Sequence, residues 1–188
     1  MTSKKAGIGI EYTTRSKGDP VKNGRVNHLG KWPILKTIDR EVKTMTQITR
    51  GGNATVTVLC IDPEIESLLL YKSQRVDIEQ RIDKLDYEFG YNDAFVDAVV
   101  GNKDWYLFSL KDAPEIYDVF YTASADNYNK VVQELLGKGV KHSKVKAREL
   151  LGTFLTIRQE TGRYYDNNLT RTNTHTPFLD VTRQSNLC

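Results

Sequence analysis

Apolar and polar positions along the chain follow two alternating patterns. Residues 55–61 form a nearly continuous run of apolar and β-branched side chains, which is typical of a buried parallel strand. Asp62 and Pro63 follow this run as an N-cap and first-turn pair, ahead of a short apolar helix. Strand-then-helix units of this kind predict an α/β fold with a largely parallel sheet.

The same patterns predict the other elements. Pro33 stands in a first-helical position, ahead of apolar residues at helical spacing that continue to Met45. Further helices are predicted near residues 93–100, 126–136 and 143–160, and strands at 6–10, 86–91, 104–109 and 163–167. From residue 170 to the end the chain is polar and has no clear period, which predicts a loop or a frayed end.

Composition places the chain among soluble domains. It has 188 residues, of which 39% are hydrophobic, enough to bury the core of one domain. It contains neither the run of about 18 apolar residues that a membrane helix needs nor a signal peptide, so we expect a cytoplasmic protein with no membrane partner. Two cysteines cannot build a disulfide framework, and Cys60, inside an apolar strand, is expected in the core.

Positive charge is concentrated at the start of the chain. The first 50 residues hold eleven Lys or Arg against four acids, and the remaining 138 hold sixteen against twenty. Basic residues in the glycine-rich segment 11–31 indicate either a solvated surface or a clamp for a triphosphate. Residues 7–9 and 50–52, each with two glycines, would let backbone amides approach a phosphate. Because no aromatic residues are interleaved with the basic ones, nucleic-acid binding is not predicted.

The three histidines and the terminal cysteine do not by themselves indicate a catalytic or metal-binding site. His28, His142 and His175 are scattered without a second ligand beside them, so no metal site is predicted. Cys188, the last residue, is by composition and spacing only an exposed thiol.

Ordered sequence motifs carry a more specific signal. Residues 183–188 resemble the finger-loop motif of ribonucleotide reductase large subunits, and the likeness covers almost the whole chain in the family's order. The similar segments include Ala6-Gly7-Ile8-Gly9-Ile10, Thr49-Arg50-Gly51-Gly52-Asn53-Ala54-Thr55, Pro63-Glu64-Ile65-Glu66, Leu107-Phe108-Ser109, Asp112-Ala113-Pro114, Tyr117-Asp118-Val119-Phe120, Glu160-Thr161-Gly162-Arg163, Asn173-Thr174-His175-Thr176-Pro177-Phe178 and Arg183-Gln184-Ser185-Asn186-Leu187-Cys188.

The resemblance implies a fold and an active site. Residues 1–188 would form the central portion of the family's ten-stranded α/β barrel, with the finger loop at about 180–188. Cys188 would carry the thiyl radical that removes the 3′-hydrogen of a ribonucleotide, and Asn186 would bind the ribose hydroxyls. The other substrate contacts implied by the resemblance are Ala6, Gly7, Ser185 and Arg50.

Allosteric effector binding is implied as well. Two specificity loops would lie at about 11–31 and 46–53, although residues 11–17 differ from the usual pattern and are one residue shorter. Arg15 would hold the phosphates of a deoxynucleotide or ATP effector, with Val21 and Lys22 nearby.

Several parts of the family's machinery are not in this sequence. The acid–base Glu that should follow the radical cysteine, the pair of reducing cysteines, the radical-transfer tyrosines and the ATP-binding activity domain are missing. We therefore expect separate N-terminal and C-terminal fragments of the same subunit as partners, from a gene that is naturally split, as in a phage, rather than artificially truncated. No cofactor would bind this chain directly. The radical would come from a di-metal small subunit, or alternatively from cobalamin.

Two functions follow from these expectations. The first is a fragment of ribonucleoside-diphosphate reductase that acts on ribonucleoside diphosphates once it is assembled with its partners. The alternative is a non-catalytic, nucleotide-binding regulatory remnant, in which the effector loops are kept and the chemistry is lost.

Overall fold

A computed structural model of the chain describes residues 7–44 and 51–186. In chain order the elements are β1 (Ile8–Glu11), β2 (Pro20–Val21), β3 (Val26–Asn27), α1 (Trp32–Thr44), β4 (Ala54–Leu59), α2 (Ile65–Leu70), β5 (Leu85–Tyr91), α3 (Asp93–Val100), β6 (Asp104–Leu107), α4 (Pro114–Phe120), α5 (Ala125–Gly137), β7 (Ser143–Lys146), α6 (Ala147–Thr161), β8 (Tyr164–Asn168) and α7 (Leu169–His175). None of the helices in these two ranges is long and apolar enough to cross a membrane.

The central sheet has four strands in the order β1-β4-β5-β8, and every neighbouring pair is parallel. Helices lie in each connection between consecutive strands of this sheet, as parallel pairing requires. The predicted α/β fold with a parallel sheet is therefore confirmed. Within the described ranges β1 and β8 are the edge strands, each paired on one side.

One face of the sheet is apolar and packs on helices. Strand register places Val56, Tyr87 and Tyr164 in one row across this face, and all three are buried. Phe89, one pleat further along, stacks on Phe154 of α6 with ring centroids 4.6 Å apart. Aromatic packing of this kind is a main source of the burial that stabilises the domain.

The opposite face is polar, and we call it the polar face. Its central row contains Glu11, Thr57 and Glu88, which the register aligns across three strands. Thr57 and Glu88 are only 2% and 1% exposed, so other parts of the chain cover this face. Buried polar groups need hydrogen-bond partners, and those of Glu88 include a segment beyond the sheet.

One predicted helix boundary was wrong, and one predicted strand lies outside the parallel sheet. The helix predicted from residue 143 begins at Ala147, because Ser143–Lys146 forms a strand antiparallel to β6 in a separate two-stranded sheet. For the same reason the strand predicted at 104–109 does not join the parallel sheet. Two salt bridges link the strands of this small sheet, from Asp104 to Lys144 at 2.9 Å and to Lys146 at 2.6 Å.

The prediction of a loop or a frayed end from residue 170 onward was wrong for residues 170–175, whereas residues 176–186 contain no helix or strand. Leu169–His175 forms α7, whose N-cap Asn168 accepts a hydrogen bond from the backbone amide of Arg171 at 3.2 Å. The prediction for Cys60 was correct, since its side chain is fully buried and burial raises its thiol pKa well above the ordinary value.

Candidate active-site loop

The chain after β8 turns over the polar face. Leu169, the first residue of α7, crosses the strand β5 at Gly90. A Cβ at Gly90 would lie 2.8 Å from the Leu169 Cδ1 atom and 3.0 Å from a methyl carbon of Leu59. Glycine at this point therefore lets the helix start directly against the sheet.

Asn173 fixes the path of the chain beyond α7. Its side-chain amide donates to the carbonyl of Thr182 at 2.9 Å, and its carbonyl oxygen accepts from the Thr182 amide at 2.7 Å. The same amide nitrogen also donates to the carbonyl of Leu169 at 2.9 Å. This two-way pairing brings residues 182–186, which we call the docked loop, back to the sheet.

Three side chains of the docked loop contact the fold. Arg183 lies over the ring of Tyr121, with its guanidinium carbon 5.1 Å from the ring centroid. The amide of Gln184 donates to the Gly9 carbonyl at 3.2 Å. The hydroxyl of Ser185 donates a short hydrogen bond to the carboxylate of Glu88. The docked loop thus covers both the edge strand β1 and the centre of the polar face.

Gly9 provides the room for this close approach. A Cβ at this position would overlap the carbonyl oxygen of Ser185 and lie 3.1 Å from its carbonyl carbon. It would also lie 3.4 Å from the Asn186 Cα atom. All of these atoms are backbone, so no rotamer change could relieve the overlap. The sequence prediction that the glycines of this strand allow a close contact is confirmed for Gly9.

Glu11 lies beside the docked loop in a half-buried position. Burial raises the pKa of its carboxyl group, and the Tyr121 hydroxyl and the positive charge of Arg183 oppose that rise in part. A raised pKa in the folded state means that the protonated carboxyl is the form favoured by folding. Stability from this group is present below the unfolded-state pKa and is lost as pH rises through the folded-state value.

The substitution Glu11→Gln tests this assignment. Gln resembles the protonated carboxyl, so wild type and variant should have similar Tm values near pH 4, below the usual pKa of Glu. Between that pH and neutrality the variant should become progressively more stable than the wild type. Thermal unfolding across this range measures the effect, with Glu79→Gln, whose side chain is 85% exposed, as the control. A Tm difference that does not change with pH would contradict the assignment.

Residues 11–31, which we call the basic loop, run from the end of β1 to the start of α1. The Arg15 guanidinium donates to the carbonyl of Pro20 at 2.6 Å, within the loop. Val21 is half-buried in the small β2–β3 hairpin, whereas Lys22 is exposed and has a left-handed φ of 49°. Of the three residues expected to bind an effector, Val21 and Lys22 are on one short surface hairpin, and Arg15 is bonded to its first strand.

Glu64 holds the basic loop at two points, one near its start and one at its end. Its carboxylate accepts from the backbone amides of Lys17 at 3.0 Å and Lys31 at 3.2 Å. The ammonium group of Lys31, whose side chain is 2% exposed, lies 2.6 Å from the Asp62 carboxylate and 3.7 Å from that of Glu64. We call Lys31, Asp62 and Glu64 the buried charge cluster. Asp62 also accepts from the Glu64 amide at 2.8 Å, so it caps a turn, and the helix predicted to start there begins at Ile65.

The structure describes only some of the other residues that were predicted for the site. Gly7 is half-buried directly before β1, and Asn186 is exposed at the end of the docked loop. Ala6, Arg50 and Cys188 lie outside the described residues. Across 7–44 and 51–186, no group of three or more His, Cys, Asp or Glu residues is arranged to hold a metal ion.

Comparison with known proteins decides the family. Residues 1–188 match the family described as ribonucleotide reductase, barrel domain. The chain belongs to the ribonucleotide reductase family. Its four-stranded parallel sheet is accordingly part of the reductase α/β barrel.

Several reductase α subunits are similar to the chain over its whole length. It is 35% identical to ribonucleoside-diphosphate reductase 1 subunit alpha of Salmonella typhimurium and 34% identical to that of Escherichia coli, over 99% of the chain in each case. It is 33% identical to the reductase subunit alpha of Enterobacteria phage T4, again over 99% of the chain. The chain spans about a quarter of the length of these relatives, 25% to 26%.

The residues that support the docked loop were not predicted from the sequence. Asn173 and Glu64 appeared only as members of the family motifs, with no role assigned to them, and Glu88 was not singled out at all. One signal was available for Glu88. It alternates with Tyr87 and Phe89 in a strand of period two, which indicates a polar position on a second buried face.

Proposed function

We propose that this chain supplies part of the catalytic barrel of a ribonucleoside-diphosphate reductase, including its active-site loop. The observation that carries the proposal is the docking of residues 182–186 on the polar face of the sheet, in a chain of the reductase family. The relatives named above are reductase α subunits, about four times as long as this chain. Activity, substrate and partners of the whole protein are therefore all part of the proposal.

The docked loop leads directly into the residues proposed for the chemistry. The Cys188 sulfur, once oxidised to a thiyl radical, would form an S–H bond as the 3′ C–H bond of a ribonucleoside diphosphate breaks. Asn186 would hydrogen-bond the ribose hydroxyls, with Ala6, Gly7, Ser185 and Arg50 completing the substrate contacts. A loop held by the sheet on several sides is suited to this, because positioning is most of what protein groups add to radical chemistry.

The basic loop is proposed as an effector site. Residues 11–31 and 46–53 would be the two specificity loops, and Arg15, Val21 and Lys22 would bind a deoxynucleoside triphosphate or ATP. The exposed Arg15 and Lys22 side chains of this loop match the charge of a triphosphate, which supports this assignment.

Assembly with other chains belongs to the same proposal. The open edges of β1 and β8 suit pairing with strands from other segments of the catalytic subunit, because an unpaired parallel edge leaves backbone groups without partners. The radical would come from a separate small subunit with a di-metal centre. We propose that the complex acts in the cytoplasm.

The experiment is reduction of a ribonucleoside diphosphate by the complex purified from its source. Cys188→Ser should reduce turnover to background, because a hydroxyl cannot form the required radical. Cys60→Ala is the matched control and should keep its turnover, since Cys60 is buried in the core. Turnover by the Cys188→Ser complex at the wild-type rate would contradict the proposal and favour a regulatory remnant.

A further inference from the structure

Glu88 occupies an unusual position for a carboxylate. It lies in the middle of β5, the strand between β4 and β8, and points onto the polar face. Its side chain is 1% exposed. Burial of a carboxylate is costly unless several donors satisfy it, so the groups around Glu88 define what it does.

Both carboxylate oxygens of Glu88 have partners, and the two oxygens serve different parts of the fold. The Oε1 atom accepts from the Thr57 hydroxyl on β4 at 3.2 Å and from the Asn167 amide on β8 at 3.0 Å. The Oε2 atom accepts from the hydroxyl of Ser185 in the docked loop. One oxygen is thus held by the neighbouring strands, and the other is directed at the loop.

The geometry makes Glu88 a bridge between the rigid sheet and the docked loop. Asn167 is itself fixed, because its side-chain oxygen accepts from the Thr172 hydroxyl at 2.6 Å. The carboxylate is therefore held in one orientation before the loop arrives. Hydrogen bonds to an ionised acceptor are roughly twice as strong as neutral ones, so Ser185 has a strong preference for this site.

We propose that Glu88 is a positioning residue that sets the conformation of the docked loop and, through Ser185, the placement of Asn186. The role of Asn186 toward the ribose rests on the function proposed above. The anchoring of the loop by Glu88 is a separate property of this chain and can be measured without turnover.

The test combines loop accessibility with turnover. Trypsin cleavage after Arg183 requires the docked loop to leave the sheet, so its rate reports undocking. Glu88→Ala and Ser185→Ala should each raise this rate by about 10-fold, because each removes the hydrogen bond between the two side chains and so makes undocking more favourable. The double variant should be no faster than either single variant, because the two residues act as one unit. Ser185→Thr keeps the hydroxyl and should restore slow cleavage.

Asp86→Asn is the matched control. Asp86 is a buried carboxylate on the same face of the same strand, but it pairs with Arg163 at 2.6 Å and not with the loop. Its loss should lower Tm without accelerating cleavage after Arg183. Ser185 is exposed, so Ser185→Ala remains informative even if Glu88→Ala fails to fold.

In the assembled complex, Glu88→Ala should lower kcat about 10-fold or more with less change in KM, since the loop is misplaced. Cleavage at the wild-type rate in Ser185→Ala, or additive effects of the two substitutions, would overturn the anchoring role of Glu88. A wild-type complex without reductase activity would instead refute the proposed function, and the cleavage rates would still decide whether Glu88 anchors the loop.

Discussion

Gly9→Ala is expected to lower turnover of the assembled reductase by about 100-fold, with a smaller effect on Tm. The new Cβ would overlap the backbone of Ser185, and no side-chain movement can relieve that contact. The docked loop must therefore move away by an ångström or more. The strand itself tolerates alanine, so any loss of stability is limited to the contacts of the docked loop. Initial rates of ribonucleoside diphosphate reduction and thermal unfolding together measure the effect.

Gly152→Ala is the control for Gly9→Ala. Gly152 lies within α6, and nothing is within 4 Å of a Cβ built there. Alanine should stabilise this helix by about 1 kcal/mol and leave turnover unchanged. If Gly9→Ala retained full turnover, the close packing of β1 against the docked loop would have no role in the reaction.

Lys31→Met is expected to lower the free energy of unfolding by about 3–5 kcal/mol. The substitution removes the one cation of the buried charge cluster and leaves the Asp62 and Glu64 carboxylates without it. Lys31 and Asp62 have side chains only 2% and 6% exposed, so water screens their interaction little. For a chain of this size the loss corresponds to a Tm decrease of about 10 °C.

An exposed ion pair between α1 and the turn before β5 provides the comparison for Lys31→Met. Arg40 and Glu79 are 4.0 Å apart and have side chains 68% and 85% exposed. Arg40→Met should change the free energy of unfolding by less than about 1 kcal/mol. Equal effects of the two substitutions would mean that the buried charge cluster is no more important than a surface pair.

Elements with strong local signals were predictable from the sequence. The β-branched run of β4 and the amphipathic pattern of α5 gave boundaries close to those observed. Helix α7 could not be found this way, because a Thr- and Asn-rich segment has low helix propensity. It forms because Asn168 caps it and Leu169 packs against Gly90, and both contacts depend on the fold. Strand β7 was missed because Ser143–Lys146 is short and mostly exposed.

Some residues of the candidate site could likewise be predicted from the sequence, and others could not. Ser185 and Asn186 were identified through family motifs, which preserve the order of residues along the chain. The partners of the docked loop could not be identified so, since Glu88 is 97 residues away from Ser185 in sequence. Strand register and the path of α7 decide which distant residues meet, and local sequence patterns predict neither of them.

The attachment of the basic loop to Glu64 has an evolutionary consequence. With Lys17 and Lys31 held by one carboxylate and Asp19 buried against Ser109, the outer hairpin at residues 20–27 can change in length or sequence without altering the paths of β1 and α1. Lengthening a closed loop is inexpensive, about 0.6 kcal/mol for each doubling. Residues 20–27 are therefore the part of the basic loop in which sequence can diverge between related proteins while the barrel that carries it stays the same.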